Sequence, residues 1–188
     1  MTSIPKSNYF GCKYIRILLK CFIQVLYSAF ISGATKGIGN EVARQLALHD
    51  FTVLIGARNT QHGEAAVEKL QLDGADAHFI QLDVNDESSI KSAAETISKQ
   101  FGKVDVLINN AGIKYEFLSG TRPSMLSVDI LKDTFLTNFF GVFAIIHNFL
   151  PLLKQSGTAR IINVSSTLGS LTCLSNPENF FYGVNSLA

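Results

Sequence analysis

The stretch Ser32-Gly33-Ala34-Thr35-Lys36-Gly37-Ile38-Gly39 decides the fold class of this chain of 188 residues. The apolar run 27–31 precedes it, and apolar residues at helical spacing, Val42 and Leu46, follow Ile38. Glycines between a strand and a helix permit a tight turn and let backbone N–H groups approach a ligand, and the helix N-terminus adds partial positive charge. The sequence therefore predicts that this loop binds the diphosphate of a dinucleotide.

Short apolar runs alternate with helical patterns along the rest of the chain. Runs without polar alternation are typical of parallel strands that are covered on both faces. Strands that alternate with helices in this way predict an α/β fold, a doubly wound parallel sheet of the Rossmann type with right-handed crossovers. The predicted strands cover residues 27–31, 52–55, 77–80, 104–108 and 160–164.

Two more segments show apolar residues three or four positions apart, as amphipathic helices do. The first begins after Asp86, which we predict to be its N-cap because a carboxylate there accepts from the first free N–H groups. Its apolar stripe consists of Ile90, Ala94, Ile97 and Phe101. The second segment is longer, and its stripe consists of Leu131, Phe135, Phe139, Phe143, Ile146 and Leu150.

The amino-acid composition and the charge of the chain disfavour some classes of function. The chain is 47% hydrophobic and 16% charged with a formal net charge of +1, which is ordinary for one globular domain. This charge argues against a nucleic-acid-binding protein, which normally presents a basic face. The three cysteines are odd in number and lack metal-ligand spacing, and the four histidines are scattered. We therefore expect reduced thiols, no metal site and a cytoplasmic location.

Residues 1–27 differ from the rest, because lysines and an arginine interrupt an apolar stretch. The uncharged run 21–31 is shorter than the about 20 apolar residues that a membrane span needs. A short signal-anchor-like segment, a basic amphipathic helix at a membrane surface and a mitochondrial presequence remain open. The fourth alternative is a non-native extension before a domain that covers residues 28–188. Part of the run is also needed for the first strand, which weakens each targeting interpretation.

Five motifs in order give the chain a family resemblance. The first two glycines of the loop are separated by three residues, which resembles the short-chain dehydrogenase/reductase family rather than the commoner G-x-G-x-x-G form. The resemblance runs from about Ala29 to the C-terminus and is most like the carbonyl-reductase-like members. The other motifs are Leu82-Asp83-Val84, Asn109-Asn110-Ala111-Gly112, Thr137-Asn138-Phe139-Phe140-Gly141 and Ile162-Asn163-Val164-Ser165-Ser166.

The resemblance implies a nicotinamide cofactor, and the sequence after the second strand favours NADP(H) over NAD(H). An acid there would accept from the free ribose hydroxyls, whereas a basic residue pairs with the 2′-phosphate. The chain has Arg58 at this position, and Lys36 in the glycine loop adds a second positive charge. The implied cofactor-binding residues are Gly33, Thr35, Lys36, Gly37, Ile38, Gly39, Arg58, Asp83, Val84, Asn110, Ala111 and Gly112.

The resemblance also implies the chemistry of a carbonyl or alcohol oxidoreductase. In that family a tyrosine protonates the substrate carbonyl, a lysine four residues later lowers the tyrosine pKa, a serine orients the carbonyl and an asparagine completes a proton relay. Ser166 matches the serine and Asn138 matches the asparagine. Asn138 stands among phenylalanines, so we expect it to be buried and to need a hydrogen-bonding partner. A purely structural role is the alternative for each residue.

The tyrosine–lysine pair of the family is incomplete in this sequence. Tyr182 follows Ser166 by 16 residues, but Ser186 stands where the lysine belongs. Either Tyr182 is a weak acid in an incomplete site, or residues 174–181 form a longer loop and the catalytic tyrosine lies beyond Ala188. The second interpretation suits the sequence better. On either one, we expect no complete catalytic tetrad and no appreciable activity in this chain.

Three hypotheses follow for the function. The first is an NADP(H)-dependent oxidoreductase that acts on a small carbonyl or alcohol substrate and is represented by a truncated chain, with a homo-oligomer open for the full-length form. The second is a non-catalytic nucleotide-binding protein, either a sensor or a subunit that binds a partner. The third is a membrane-attached protein that uses residues 1–27, which the short apolar run disfavours.

Overall fold

The computed structural model describes residues 27–114, 127–179 and 182. Within these residues one sheet has five parallel strands in the order β3-β2-β1-β4-β5. The predicted α/β class and doubly wound parallel sheet are therefore confirmed. The strands are β1 (Ser28–Ser32), β2 (Thr52–Ala57), β3 (Ala77–Gln81), β4 (Val106–Asn109) and β5 (Arg160–Asn163).

Helices connect the strands and cover both faces of the sheet. Asp86 is the N-cap of the third helix, as predicted, and its carboxylate accepts from the backbone N–H of Ser88 at 2.9 Å. A π-helical segment, Leu136–Phe140, separates the fourth helix from the fifth. The helices are α1 (Gly37–Leu48), α2 (Thr60–Leu72), α3 (Glu87–Phe101), α4 (Val128–Phe135), α5 (Gly141–Ser156) and α6 (Leu171–Ser175).

Two apolar cores lie on opposite faces of the sheet. Every residue of β1 and β2 is buried, because successive side chains of a central strand point to alternate faces and both faces are covered. Phe30 and Leu54 belong to the core beneath α3 and α5, whereas Ile31 and Val53 belong to the other core. The uninterrupted apolar runs of the sequence therefore have the physical origin that was predicted.

Asp105 joins three elements at the amino edge of the sheet. Its carboxylate accepts from the backbone N–H of Ser28 at 2.7 Å, from Lys103 Nζ at 2.8 Å and from the Ser156 hydroxyl at 2.6 Å. Burial raises the pKa of this carboxyl, but the hydrogen bonds from Lys103, Ser156 and Ser28 outweigh it, and the pKa lies below the ordinary value. The start of β1, the start of β4 and the end of α5 are thereby tied together.

Most of the apolar stripe that was predicted for the long helix is exposed rather than buried. Its members Phe135, Phe139 and Phe143 are exposed, and Phe143 has 66% of its surface accessible. The face that packs on the sheet carries Ile145 and Phe149 instead. In the first helix, Ile38 is exposed as well, and Gly39 and Ala43 are its buried positions. Helical periodicity identified these helices and the partly buried Val42 and Leu46 of the first one, but it did not identify their most deeply buried positions.

The edge strand β5 differs from the other strands, because all four of its residues are exposed. Ile161, Ile162 and Val164 leave between 43% and 45% of their surfaces accessible. Among the described residues, the helical stretch Val128–Ser156 is long and apolar enough to cross a membrane by length and composition. It packs one face against α3 and β4, as a core helix does. The predictions for residues 1–26 lie outside the described residues.

Candidate cofactor-binding site

The strand order places a crevice at the carboxyl edge of the sheet. The chain runs from β1 outward to β2 and β3, and then returns to add β4 and β5 on the other side of β1. Loops that leave β1 and β4 therefore diverge to opposite faces, and a groove opens between them, where ligands of such sheets bind. The glycine loop leaves β1 at this point, and the segment Asn110-Ala111-Gly112 leaves β4 beside it.

The three glycines of the loop serve different purposes. Gly33 has φ +66°, and a Cβ there would lie 2.8 Å from Ala111 Cα. A Cβ at Gly39 would collide with the side chain of Asn110 and lie 2.9 Å from the Gly33 carbonyl oxygen. Gly37 also has a positive φ of +61°, but a Cβ there would meet no atom within 4 Å. Gly33 and Gly39 are therefore needed for packing, whereas Gly37 leaves open space beside the N-terminus of α1.

Ser32 and Asn110 lock the two loops together. The Ser32 hydroxyl accepts from the backbone N–H groups of Asn110 and Ala111, each at 3.1 Å. The Asn110 amide donates in return to the carbonyls of Ser32 at 3.1 Å and Gly33 at 3.0 Å. Ser32 was not predicted as a functional residue, because a small polar residue at a strand end has no distinctive sequence pattern. It is nevertheless the buried centre of the loop junction.

The N-terminus of α1 is open to an anion. Lys36 is its N-cap in extended conformation, its side chain makes no capping hydrogen bond, and the first turn contains no acid. Thr35 is half-buried, while Lys36, Gly37 and Ile38 are exposed. Unpaired N–H groups and an uncancelled helix dipole favour a phosphate at such a position. The structure thus brings the predicted diphosphate loop to the crevice in a form that an anion can approach.

The end of β2 presents Arg58 at the same edge. Arg58 is exposed, and Asn59 after it accepts from the His62 backbone N–H at 2.8 Å as the N-cap of α2. The first turn of α2 contains no acid either. Arg58 and Lys36 follow the neighbouring strands β2 and β1, whose ladder continues to the pair Ser32 and Gly56. Arg58 thus follows the end of β2 directly, and Lys36 lies in the loop after the neighbouring strand β1.

The loop after β3 lies at the same carboxyl edge of the sheet and contacts the long helix. The Asp83 backbone N–H donates to the Ser89 hydroxyl at 2.9 Å, and one Asp83 carboxylate oxygen accepts from the Asn85 N–H at 3.0 Å. A Cβ at Gly141 would lie 2.7 Å from the Val84 carbonyl oxygen. Gly141 therefore allows α5 to approach this loop closely. Asp83 and Val84 lie at the carboxyl edge, as predicted.

Asn138 lies in the π-helical segment and is exposed, so the prediction that it is buried was wrong. The apolar residues around it in sequence are themselves exposed, and they create no buried setting. The expected hydrogen bonds do exist: Asn138 Oδ1 accepts from the Ile113 N–H at 2.9 Å, and its Nδ2 donates to the Ile113 carbonyl at 2.9 Å. This pair of bonds joins the helix to the segment after β4. Single π-helical turns frequently occur at functional sites.

Ser166 follows β5, and its carbonyl accepts from the Gly169 N–H at 3.0 Å in a short turn, Thr167–Gly169. Tyr182 is exposed, and its backbone N–H donates to the Asn179 carbonyl at 2.9 Å. Helix α6 and a turn at Asn176 occupy part of the predicted loop 174–181. Ser186 lies outside the described residues. Within the described part of the chain, no group of three metal-ligating side chains occurs.

With this geometry in place, comparisons with known proteins decide the family. The sequence profile described as short chain dehydrogenase matches residues 28–178. The chain belongs to the short-chain dehydrogenase family. Carbonyl reductase [NADPH] 1 of Homo sapiens is 38% identical over 144 residues, which cover 76% of this chain and 50% of that protein. The Mus musculus protein of the same name is 39% identical over 150 residues, with 79% and 51% covered.

Solved structures agree with this family membership. An actinorhodin polyketide ketoreductase with NADPH matches with a TM-score of 0.71 and 31% identity, covering 77% of this chain and 55% of that one. An alcohol dehydrogenase from Thermococcus sibiricus complexed with 5-hydroxy-NADP matches with a TM-score of 0.71 and 29% identity, covering 78% and 60%. The predicted carbonyl-reductase-like resemblance is confirmed. The chain spans about half the length of the curated relatives it matches.

Proposed function

We propose that this chain binds NADP(H) and belongs to an oxidoreductase that transfers hydride between the nicotinamide and a small carbonyl or alcohol substrate. The observation that carries the proposal is the open glycine loop, which contains Lys36, with Arg58 directly after the neighbouring strand β2. Gly37 leaves free space at the N-terminus of α1, and Arg58 stands where an acid would select NAD(H). The carbonyl reductases named above carry NADPH in their names, which supports the same cofactor here.

The described residues fit NADP(H) in three places. The loop Gly33–Gly39 and the N-terminus of α1 would hold the diphosphate, with Thr35, Lys36 and Ile38 around it. Arg58, together with Lys36, would hold the 2′-phosphate. Asp83 and Val84 would border the adenine, and the segment after β4 would border the nicotinamide half. The residues proposed for that segment are Asn110, Ala111 and Gly112.

The bound cofactor supplies or accepts the hydride, and the chain's own residues orient the reactants. We assign Ser166 to orientation of the substrate carbonyl through its hydroxyl. Asn138 is assigned to the proton relay, because it matches the family asparagine and its side-chain amide lies against the Ile113 backbone after β4. A general acid typically contributes 10²–10⁴-fold to such a reaction, and this contribution requires a tyrosine of lowered pKa.

Tyr182 lacks the sequence context for that task. Ser186 stands in the place of the lysine that would lower the tyrosine pKa, so we propose that this chain has no appreciable reductase activity. We propose that Tyr182 is therefore not the catalytic tyrosine of such a site. We further propose a cytoplasmic location and a small-molecule partner, without nucleic acid or membrane attachment.

The cofactor assignment is tested by a charge reversal. Arg58→Asp should invert the preference of the chain for NADPH over NADH, because charge-assisted hydrogen bonds to phosphate are each worth about 1.5–3 kcal/mol. Calorimetric titration of wild type and variant with both cofactors measures the change. Arg160→Asp is the control, since Arg160 is exposed at the start of β5 on the opposite edge and should leave the preference unchanged. Equal wild-type affinities for the two cofactors would contradict the assignment.

The catalytic assignment is tested by extension of the chain. Activity with a reactive dicarbonyl and NADPH should be absent from the chain of 188 residues, and it should appear only in a longer form that supplies a Tyr-x-x-x-Lys motif and depend on the tyrosine of that motif. Turnover by the chain of 188 residues that disappears in Tyr182→Phe would place the active site at Tyr182 instead.

A non-catalytic nucleotide-binding protein is the second candidate, and Ser186 is the residue that favours it. That candidate gains support if the extended form binds NADPH without reducing any carbonyl substrate.

A further inference from the structure

A groove lies at the amino edge of the sheet, on the edge opposite to the glycine loop. It has a volume of about 430 Å³ and lies between the C-terminal ends of α1 and α2, which end shortly before β2 and β3 begin. Its lining mixes apolar side chains with carboxylates. The lining residues that matter below are Ala47, Leu48, Asp50, Leu70, Asp73 and Ala75.

The apolar part of the groove continues the core beneath α1 and α2. Leu70 is a buried member of that core, and Ala47 and Ala75 pack against it. Leu48, in contrast, has 64% of its surface accessible at the rim of the groove. The groove therefore offers further apolar side chains a place where they extend an existing core, because burial against it removes apolar surface from water.

The chain enters the sheet beside this groove. The Tyr27 carbonyl accepts from the Thr52 N–H at 2.9 Å, so Tyr27 stands next to the start of β2. Its ring lies 5.7 Å from the ring of Phe51, measured between centroids, and Phe51 packs against the same core as the floor of the groove. Phe51 directly follows Asp50 of the lining. The residues that precede Tyr27 in sequence are thus tethered at the groove.

The charge of the groove is negative. Its wall contains Arg44, but Glu41 accepts two hydrogen bonds from that guanidinium, at 2.6 Å and 2.9 Å, and neutralises its charge. Asp50 and Asp73 contribute carboxylates. The last turn of α1 contains no basic residue that would offset the partial negative charge of the helix C-terminus. A cation is therefore favoured beside the apolar floor.

The sequence before Tyr27 has the complementary composition. Residues 20–26 read Lys-Cys-Phe-Ile-Gln-Val-Leu, which is one cation followed by mainly apolar residues without any acid. Phe22 precedes Tyr27 by five positions, so it lies no further than about 18 Å from it along an extended chain. A segment on so short a tether has an effective concentration in the millimolar range, which favours it over a second copy of the chain.

We propose that residues 20–26 dock in this groove, with their apolar side chains on its floor and the Lys20 ammonium beside the carboxylates of Asp50 and Asp73. The docked segment extends the core beneath α1 and α2 and holds the start of β1 in place. The basic and apolar stretch before Tyr27 is then part of the folded domain and does not serve a membrane. This inference does not depend on the cofactor.

Hydrogen exchange of the full chain measures the cover. The reporting amides are at the groove: the Asp50 N–H donates to the Ala47 carbonyl at 3.2 Å, and the Ala75 N–H donates to the Leu70 carbonyl at 3.0 Å. Phe22→Asp should accelerate their exchange about tenfold or more, because burial of one large apolar side chain is lost. Phe10→Asp is the matched control and should leave both amides unchanged.

A charge swap tests the ion pair separately. Lys20→Glu should accelerate exchange at the same amides, and Asp73→Lys in the same chain should restore the slow exchange. The Gly157 N–H, which donates to the Lys154 carbonyl at 3.3 Å in another turn, should exchange at one rate in every variant. Circular dichroism establishes that the variants are folded.

Cross-linking locates the segment directly, in a chain whose fold carries no disruptive charge. Cys21 is retained, whereas Cys12→Ser and Cys173→Ser remove the other thiols. Leu48→Cys should then give a cross-link within one chain through a short bismaleimide. Val128→Cys is the matched position, because Val128 and Leu48 are 65% and 64% exposed, and it should give none.

A cross-link from Cys21 to position 48 within one chain, together with faster exchange in Phe22→Asp, is the expected result. Cross-links between two chains would assign the groove to a second copy and overturn the proposal. Equal cross-linking at positions 48 and 128, or unchanged exchange in folded Phe22→Asp and Lys20→Glu, would overturn it as well. Sedimentation of the chain with phosphatidylserine-containing vesicles that is lost in Phe22→Asp would assign the segment to a membrane surface instead.

Discussion

The central strands and the edge strand of the sheet differ in how far their side chains are buried. In the centre, β1 and β2 are buried throughout, and their side chains fill two cores. At the edge of the sheet, β5 is exposed along its whole length, although it contains two isoleucines. The difference shows that an apolar run in the sequence predicts a strand but does not predict whether neighbouring elements bury that strand. Neighbouring strands and helices provide that cover, and β5 has neither on its outer side within the described residues.

The long helix shows the same contrast across its two faces. Phe149 faces the core and is fully buried, whereas Phe143 has 66% of its surface accessible. The exposed face continues through Phe139, Phe140 and Leu150. An apolar surface of this extent is unusual on an isolated monomer and is typical of an interaction surface. The central strands are therefore covered on both faces, while β5 and the long helix present apolar surfaces that another segment or molecule can cover.

The largest expected loss of stability comes from a substitution at Gly33, where the loops after β1 and β4 meet. Gly33→Ala should destabilise the fold by about 2–5 kcal/mol, because the positive φ and the contact with the Ala111 backbone both oppose a side chain. Gly37→Ala is the matched variant, since it shares the positive φ without any contact. It should cost only about 1–2 kcal/mol. Urea unfolding measures both values.

NADPH titration separates the two glycines further. Gly37→Ala should weaken binding while the protein stays folded, because the new methyl group occupies the space assigned to the diphosphate. Equal stability losses in the two variants would show that Ala111 yields to the new side chain. Unchanged NADPH affinity in Gly37→Ala would show that the open space is not part of the site.

An intermediate loss of stability is expected from substitution of Asp105, which joins β1, β4 and α5. Asp105→Asn should cost about 1–3 kcal/mol at neutral pH, because the carboxylate accepts hydrogen bonds from four charged or polar donors, which a neutral amide satisfies less well. The pKa of Asp105 is lowered in the folded state. Its contribution is therefore complete above the ordinary aspartate pKa, and it is lost as the pH falls through the folded-state value. Urea unfolding of both proteins at descending pH measures the difference.

The difference in stability between wild type and Asp105→Asn should shrink as the pH falls below the ordinary aspartate range. Glu95→Gln is the control, since Glu95 is exposed on α3, and its difference from wild type should stay small at every pH. A gap between wild type and Asp105→Asn that stays constant into acid would show that the carboxylate charge is not the source of the stabilisation.

Local signals in the sequence were sufficient for the fold and for the loops of the crevice. The strands begin and end within two residues of the predictions, because the apolar run 52–55 is followed by Gly56 and the run 77–80 lies between Asp76 and Gln81. Asp86 was predictable as a cap because capping needs only local chemistry. The glycine loop was predictable because its conformation requires glycine at Gly33 and Gly37, where φ is positive.

Properties that depend on distant residues could not be predicted. Ser32 became important only when β4 placed two N–H groups beside its hydroxyl, 78 and 79 positions away in the chain. Asn138 was expected to be buried because its sequence neighbours are apolar, but the helix presents that face outward. Phe143 and Phe149 both fit helical periodicity, and only the packing of α5 on the sheet distinguishes them.

The smallest expected effect tests the exposed face of the long helix by one substitution at two positions. Phe143→Ala should change the free energy of unfolding by no more than about 0.5 kcal/mol, because its ring loses only surface contacts and a stacking with His147 at 6.0 Å. The same change at Phe149 should cost about 3–5 kcal/mol, because it leaves a cavity in the core. Phe143→Ala should also lower the binding of a hydrophobic dye. A large stability loss in Phe143→Ala would mean that another part of the protein already covers this face, and the contrast between the two sides of the molecule would then be wrong.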